Sequence, residues 1–258
     1  MPVIIPAFNN PTYVHNMIAQ LLSRGFRNII VIDNCSTAPK MQECFRRAKT
    51  VVQLTENRGP HYFFSDDRMF DALPNLFCIT DPDLEFNSRL PENFLFQLIA
   101  LTEEFQIGKV GLSLKISDHR KMLKSDFRNG SVVNKVWEWE AQFWKDHIAS
   151  TLLGDPIYRA DIDMTFAVYN KKYYHRGSHE ALRVAGRYTC RHLPWYRKNG
   201  IPKCEAAYYE ATQKFSTYFS PMPGPNAMPS AILRGLTALA AARTNFVRKN
   251  IRQMRNGF

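Results

Sequence analysis

The sequence lacks several features that would place it in common protein classes. Its five cysteines are scattered over 258 residues and none forms a C-x-x-C pair, which excludes a disulfide framework and a zinc or redox motif of that type. No run approaches the ~18 consecutive apolar residues of a membrane span. The apolar start at Met1–Phe8 follows no basic segment, so we expect no secretory signal either. A globular protein of the reducing cytoplasm fits these absences.

Acidic residues are absent after Glu210, whereas seven basic residues follow it, so most of the net charge of +11 lies in the last fifth of the chain. Residues 230–254 are predicted to form a capped amphipathic helix with apolar and basic faces, behind a proline-rich linker at Pro221–Pro229. Such a helix suits the surface of an anionic membrane. Packing on the body or on a partner subunit is the competing interpretation, and nucleic acid is a less favoured partner because the body is nearly balanced in charge.

Short β-branched runs alternate with amphipathic segments of helical length in the first half of the chain. This alternation predicts βαβ units and a mostly parallel, Rossmann-like sheet flanked by helices. The predicted strands are Val3–Ile5, Ile29–Ile32, Val51–Leu54, Leu76–Thr80 and Lys109–Ile116, and the predicted helices are Pro11–Arg24, Pro39–Ala48, Tyr62–Leu73 and Phe94–Phe105.

The alternation ends near residue 117. A polar loop over Ser117–Ser131, an aromatic-rich helix over Val133–Ile148 and a strand over Thr165–Tyr169 are predicted next. We therefore divide the chain into an α/β half (1–116), an elaboration of the same domain (117–220), and the linker with its basic tail (221–258).

Polar residues follow four of the predicted strands, and ligands of parallel α/β sheets gather at the carboxyl ends of strands. Asp81-Pro82-Asp83 is the sharpest of these motifs, because residues i and i+2 of an extended backbone point the same way. Two adjacent carboxylates repel each other unless they share a cation, and Mg²⁺ or Mn²⁺ holding substrate phosphates fits such a pair. Solvated loop acids are the alternative.

The order VIIPAFNN, VIDNCST, ENRGP and ITDPD resembles the nucleotide-sugar domain of family 2 glycosyltransferases of the GT-A fold, of the bacterial glycan-biosynthesis type. The match covers roughly residues 2–115. The resemblance implies a metal-dependent transferase that uses a nucleotide sugar, most simply a UDP-sugar. It departs from the family pattern at Asn34, where many relatives have Asp, and after Gly59.

The resemblance also implies roles for individual residues. Phe8 would stack on uracil beside Pro6 and Ala7. Asp33 and Asn34 would contact the base or ribose, Arg58 would approach the nucleotide, and Asp81 would lie near ribose and metal. The main metal ligand would be Asp83, and the late histidine that often completes such sites is assigned to His192 by its order in the chain.

An inverting transferase needs a carboxylate to take the proton of the acceptor hydroxyl. Relatives use an acidic residue of an E-D pair that this sequence lacks. Asp163 is favoured, then Asp161, with Glu138 and Glu140 as further candidates. Both aspartates could equally be structural partners of arginines.

The predicted function is therefore transfer of a sugar to a glycan or lipid-linked glycan in surface polysaccharide synthesis, by a hexosyltransferase-like enzyme that inverts configuration. We expect a cytoplasmic location with peripheral contact to the inner membrane. Aromatic residues of the second half would supply sugar platforms at the acceptor site. The alternatives are a haloacid-dehalogenase-like phosphatase, and a non-catalytic protein that binds membrane or nucleic acid through its basic tail.

Overall fold

The computed structural model describes residues 1–124, 126–129 and 132–212. Within these residues, ten strands form one mixed sheet in the order β3-β2-β1-β4-β11-β6-β12-β10-β9, with β5 pairing β12 beside this path, and β7 and β8 form a separate hairpin. The strands are β1 (Val3–Ala7), β2 (Ile29–Asp33), β3 (Thr50–Gln53), β4 (Leu76–Ile79), β5 (Leu84–Phe86), β6 (Lys109–Leu114), β7 (Asp126–Asn129), β8 (Val132–Lys135), β9 (His147–Ser150), β10 (Pro156–Arg159), β11 (Ala167–Asn170) and β12 (Leu182–His192). The helices are α1 (Pro11–Ser23), α2 (Met41–Phe45), α3 (Tyr62–Ser65), α4 (Asp67–Asp71), α5 (Phe94–Glu104), α6 (Val136–Glu140) and α7 (Lys203–Thr212).

The first half of the chain folds as its alternating pattern predicts. β1 pairs in parallel with both β2 and β4, and β2 pairs in parallel with β3. All five residues of β1 are buried, because helices or loops cover both faces of the sheet at its centre. The predicted α/β class, with a mostly parallel sheet flanked by helices, is confirmed.

Two apolar clusters cover the two faces of the sheet. One face packs against α1 and α5, with Met17, Leu21 and Phe94 in its core. The other face is rich in aromatic rings, where Phe77 and Tyr169 stack with centroids 5.2 Å apart. The sheet therefore forms a rigid base for the loops at its edges.

The second half joins the same sheet instead of forming a separate layer. β11 inserts between β4 and β6 and runs antiparallel to both, and β12 runs parallel to β6. Consequently β1, β2, β4, β6 and β12 all end at one edge of the sheet. The division of the chain at residues 116 and 220 stays a prediction.

Several predicted elements differ from the observed ones. The helix predicted over Val133–Ile148 is wrong: this stretch contains β8, the short α6, a 3-10 turn at Ala141–Trp144 and the start of β9. Its aromatic residues favour strands and turns as readily as helices. The predicted helix Tyr62–Leu73 is divided into α3 and α4, because Asp66 is extended and its carboxylate accepts a bond from the Met69 amide.

No helix among the described residues is long and apolar enough to cross a membrane. The predicted linker Pro221–Pro229 and the predicted amphipathic helix over 230–254 lie outside the described residues.

Helix α7 packs back onto the start of α1. α1 has neither a side-chain cap nor an acidic residue in its first turn. The buried Glu205 of α7 supplies both from 193 residues away: its carboxylate accepts a bond from the Thr12 amide at 3.1 Å and another from the Thr12 hydroxyl. Asn9 also donates to the Tyr208 carbonyl at 3.3 Å. A negative charge at this position stabilises the helix start.

Replacing Glu205 with alanine should therefore destabilise the protein. The Thr12 amide and hydroxyl would lose their acceptor, and the expected loss of unfolding free energy is about 1–2 kcal/mol in urea titrations, as for other helix caps. Glu92, an exposed acid in the loop before α5, provides the matched control as Glu92→Ala. Equal urea concentrations at the midpoint of unfolding for Glu205→Ala and Glu92→Ala would contradict the capping role of Glu205.

Candidate active site

Asp81, Asp83 and His192 meet at the carboxyl edge of the sheet. One ligand atom from each lies within 4.8 Å of the others. His192 Nε2 is 3.3 Å from Asp83 Oδ1, and both side chains are largely buried. We refer to these three residues as the Asp-Asp-His cluster.

Backbone pairing explains how residues more than 100 positions apart come together. Asp83 directly precedes β5, and β5 pairs antiparallel with the end of β12, with Leu84 opposite His192. The Leu193 amide then donates to the Asp83 carbonyl at 2.8 Å. On the other side, the Asp81 amide donates to the Met164 carbonyl at 2.8 Å, which holds the end of β4 beside the loop that precedes β11.

The electrostatics of the cluster suit a cation. Asp83 Oδ1 is fully buried and accepts no hydrogen bond from the described residues, so its contact with His192 Nε2 at 3.3 Å is the polar contact that the structure gives it. Burial raises the pKa of Asp81 well above its ordinary value, and the nearby charges of Asp83 and Asp163 raise it further. Two carboxylates and an imidazole are a donor set that binds Mn²⁺ or Mg²⁺ together with phosphate oxygens. The residues present therefore fit such an ion.

The ends of β1 and β2 form a second polar region at the same edge. Asp33 and Asn34 are buried, and the Asn34 amide donates to the Ala7 carbonyl at 2.8 Å. Burial raises the pKa of Asp33, and hydrogen bonds from Ser36 oppose that rise. The structure thus places Asp33 and Asn34 next to Pro6 and Ala7, and the roles of these four residues toward a nucleotide stay predictions.

Asn9 organises this region, although the motif VIIPAFNN that contains it gave it no predicted role. It has a positive φ of 48°, which asparagine tolerates better than most residues. Its side-chain oxygen accepts bonds from the amides of Thr37 at 2.7 Å and Ala38 at 2.9 Å. Asn9 therefore fixes the loop after β2 against the end of β1.

Two predicted nucleotide contacts are more exposed. Phe8 is half-buried at the end of β1. The exposed Arg58 pairs with Glu56 at 2.8 Å, and its guanidinium also donates to the Tyr62 hydroxyl at 2.8 Å. The Arg58 amide lies 3.4 Å from Asn34 Oδ1, so the loop after β3 contacts the loop after β2.

The structure separates the two favoured candidates for the base. The Asp163 side chain is 80% exposed, lies near Asp81, and forms a pair with His61 at 3.2 Å. Asp161 instead pairs with the buried Lys109 at 2.9 Å and with His179 at 2.7 Å. Asp161 is thus committed to ion pairs, whereas Asp163 faces solvent at the cluster.

Glu138 and Glu140 lie on α6 and differ in the same way. Glu138 caps its own helix by accepting a bond from the Lys135 amide at 2.8 Å. Glu140 is buried and forms an ion pair with Arg183; burial raises the pKa of Glu140 to about 7, and the charge of Arg183 opposes the rise. Neither carboxylate is as open to an acceptor as Asp163.

Tryptophan side chains lie beside His192 and in the small apolar group next to it. The rings of Trp195 and His192 lie 4.8 Å apart, and Trp137 lies 5.6 Å from the ring of His119. Trp195 is only partly buried and packs against the core. It is the tryptophan with a direct ring contact to the cluster among the residues described.

No protein-family model matches the sequence, and no curated protein matches it. Among solved structures, the chain is similar to GalNAc-T7 with UDP, GalNAc and Mn²⁺, at 12% identity and a TM-score of 0.48 over 81% of this chain and 47% of that one. It is similar to glucosyl-3-phosphoglycerate synthase from Mycobacterium tuberculosis at 17% identity and a TM-score of 0.34, over 46% of this chain and 45% of that one. The chain is also similar to UDP-glucose pyrophosphorylase complexed with UDP-glucose, at 8% identity and a TM-score of 0.42 over 81% of this chain and 98% of that one.

The fold is of the α/β class, with a Rossmann-like sheet. Strands β3, β2, β1 and β4 run parallel, β11 lies antiparallel between β4 and β6, and the acidic pair follows β4 directly. The chain spans about half the length of the first two of these structures, at 47% and 45%.

Proposed function

We propose that this protein transfers a sugar from a nucleotide sugar, in particular a UDP-sugar, to a glycan or lipid-linked glycan, with a divalent cation held by Asp81, Asp83 and His192. The observation that carries the proposal is the Asp-Asp-His cluster itself, in which two carboxylates and an imidazole converge and a buried carboxylate oxygen, 3.3 Å from His192 Nε2, accepts no hydrogen bond from the described residues. A bound cation satisfies such an oxygen.

The polar region at the ends of β1 and β2 would bind the nucleoside part of the donor. The carboxylate of Asp33 and the side-chain amide of Asn34 offer acceptors and donors to a base and ribose. Phe8 offers a half-buried ring at the same edge. This region and the cluster share one sheet edge, which suits a ligand with a base at one end and phosphates at the other. When bound, the cation would supply charge stabilisation to the departing nucleoside diphosphate.

Asp163 would act as the general base toward the acceptor hydroxyl. It is exposed where an acceptor can reach it and lies close enough to Asp81 for their charges to interact. His61, at 3.2 Å, would hold its carboxylate in place. Direct attack by an acceptor hydroxyl that Asp163 deprotonates would invert the configuration of the anomeric carbon, and NMR of the product would reveal this inversion. A product with retained configuration would remove the role of base from Asp163.

A screen of nucleotide sugars by thermal shift with Mn²⁺ tests the donor and the cation together. We expect a UDP-sugar to raise the melting temperature in the presence of Mn²⁺, because a ligand that binds only the folded state stabilises it by mass action. The rise should disappear with EDTA. Other nucleoside diphosphate sugars provide the controls for base specificity.

Failure of every nucleotide sugar to stabilise the protein in Mn²⁺ would contradict the proposal. A phosphatase of the haloacid-dehalogenase type is disfavoured because its acidic motif follows the first strand of the sheet, whereas Asp81-Pro82-Asp83 follows β4. Steady release of phosphate from phosphomonoesters would restore that alternative.

A further inference from the structure

The core beneath the candidate active site contains two buried cations that the proposed reaction does not use. Lys109, at the start of β6, and Arg183, in β12, are only 5% and 3% exposed. Burying a charge is costly unless it is paired and hydrogen-bonded. Both cations bind the same short segment, Ala160–Met164, which we call the Asp163 loop.

Lys109 binds the middle of this loop through two contacts. Its Nζ donates to the Ile162 carbonyl at 2.7 Å and to Asp161 Oδ1 at 2.9 Å. The Ile162 side chain is buried in the aromatic face of the core. Lys109 therefore binds the backbone of Ile162, the residue before Asp163, and the side chain of Asp161, one residue earlier.

Arg183 binds the backbone of Asp161, the residue before Ile162. Its Nε donates to the Asp161 carbonyl at 2.6 Å, while its Nη1 pairs with the buried Glu140. Its guanidinium also covers the ring of Phe143, with Cζ 4.1 Å from the centroid. A planar guanidinium presents five donors in a rigid fork, so it can bind a carbonyl, a carboxylate and a ring face at once in a fixed geometry.

The rest of the loop is held just as firmly. The Ala160 amide donates to the Ala181 carbonyl at 3.1 Å, and the Met164 carbonyl accepts the Asp81 amide at 2.8 Å. A Cβ at Gly111 would lie 2.4 Å from the Phe166 carbonyl oxygen, so glycine allows the chain after the loop to approach β6 closely. Every residue of the loop except Asp163 is thus anchored by a backbone contact, and the Asp163 side chain alone projects outward, 80% exposed.

We infer that Lys109 and Arg183 are positioning residues, which use their buried charges to clamp the Asp163 loop by its carbonyls and so hold the Asp163 carboxylate beside the Asp-Asp-His cluster. This inference rests on the proposed function for the role of Asp163 and on the geometry alone for the clamp. Asp161 and Glu140 are then the counter-charges that make burial of the two cations tolerable.

The clamp is tested by neutralising each ion pair as a whole. Replacing a buried pair by neutral residues is often nearly neutral in stability, whereas removing one partner is not. We therefore choose the double variants Lys109→Met with Asp161→Asn, and Arg183→Met with Glu140→Gln. Each removes the donor to a loop carbonyl and leaves no buried charge without its partner.

Hydrogen exchange measured by mass spectrometry gives a readout that is independent of activity. We expect peptides covering residues 160–164 to exchange faster in both double variants, while peptides of β1 and β4 keep the wild-type rate. Lys172→Met is the matched control, because it removes the exposed pair of Lys172 with Glu103, and the hydrogen bonds and ion pairs described for these two residues do not involve the loop. Unchanged exchange in the loop would overturn the clamp, whatever the protein catalyses.

Kinetics with the donor found in the screen give the second readout. We expect kcat for transfer to fall by about 100-fold, as for a misplacement of about 1 Å, while the donor KM and the Mn²⁺-dependent affinity for UDP stay within about threefold of wild type. A merely structural pair would lower the melting temperature and leave kcat of the folded enzyme unchanged, which would overturn the positioning role.

Arg183→Lys keeps the inference falsifiable if a double variant fails to fold. A lysine retains the charge opposite Glu140 but cannot also reach the Asp161 carbonyl in fixed geometry. Faster exchange of the loop with normal melting is expected, and wild-type exchange would overturn the proposal. Faster exchange in a protein that shows no sugar transfer would uphold the clamp and refute the proposed function.

Discussion

Asp83→Asn should abolish Mn²⁺-dependent binding of UDP and, without metal, should make the protein more stable than wild type. Residues that merely support metal ligands typically contribute 10–100-fold to affinity, so loss of a direct ligand should cost more than about 100-fold. Isothermal calorimetry with UDP, with and without Mn²⁺, measures this loss. Asp146→Asn, at an exposed acid before β9, is the control.

The gain in stability follows from the charges of the cluster. The pKa of Asp81 is raised above its ordinary 3.8 by burial and then by Asp83 and Asp163. A carboxyl group with a raised pKa in the folded state binds more protons folded than unfolded, so the metal-free protein loses stability as the pH rises from about 4 through that raised pKa. Removing the Asp83 charge reduces this loss.

The expected gain at neutral pH is about 1 kcal/mol, or a rise of about 2–4 °C in melting temperature. The difference between variant and wild type should shrink as the pH falls through the raised pKa of Asp81, because the folded protein then binds the proton that relieves the repulsion from Asp83. Mn²⁺ should then stabilise the wild type alone. A variant that melts well below wild type at neutral pH, or that still responds to Mn²⁺, would contradict the assignment of Asp83.

The sequence predicts the first half of the fold well because its signals are local. Buried β-branched runs and amphipathic helices alternate from Val3 to Leu114, and each element can be recognised within a window of its own length. The acidic pair after β4 is recognisable for the same reason. Its partner His192 could be chosen only by order in the chain, because the pairing of β5 with β12 that brings it to Asp83 is not encoded locally.

The second half is less predictable because its elements depend on distant partners. β12 extends from Leu182 to His192, although only its first residues form an apolar run. Its polar residues are satisfied elsewhere: Arg183 by Glu140 and the Asp163 loop, and Arg191 by Glu85 and Asp118. A charged residue beside an otherwise apolar strand, as at Lys109 and Arg183, was the one sequence signal for the buried clamp.

The choice between Asp161 and Asp163 shows what the structure adds. Alternation along the chain makes both aspartates candidates, with Asp163 favoured before Asp161, since residues two apart in an extended segment share a face. The loop gives them opposite environments, with one carboxylate bound to a buried lysine and the other exposed at the cluster. Their substitution should therefore have different consequences.

Asp163→Asn is expected to abolish sugar transfer while leaving the donor site intact. The amide keeps the size of the side chain and its contact with His61 but cannot accept a proton, so kcat should fall by about 10²–10⁴-fold, the usual contribution of a general base. Mn²⁺-dependent binding of UDP should stay at the wild-type value, because the Asp163 side chain is not part of the Asp-Asp-His cluster.

Asp161→Asn provides the contrast, because it would leave Lys109 buried without a counter-charge. The expected result is a loss of about 3–5 kcal/mol of unfolding free energy, as for other broken buried pairs, which urea titration would measure. Asp163→Asn should unfold at nearly the wild-type urea concentration, since its side chain is exposed. Near-normal turnover by Asp163→Asn would contradict the role of Asp163 as the base. Wild-type stability of Asp161→Asn would contradict a stabilising role for the ion pair between Asp161 and Lys109.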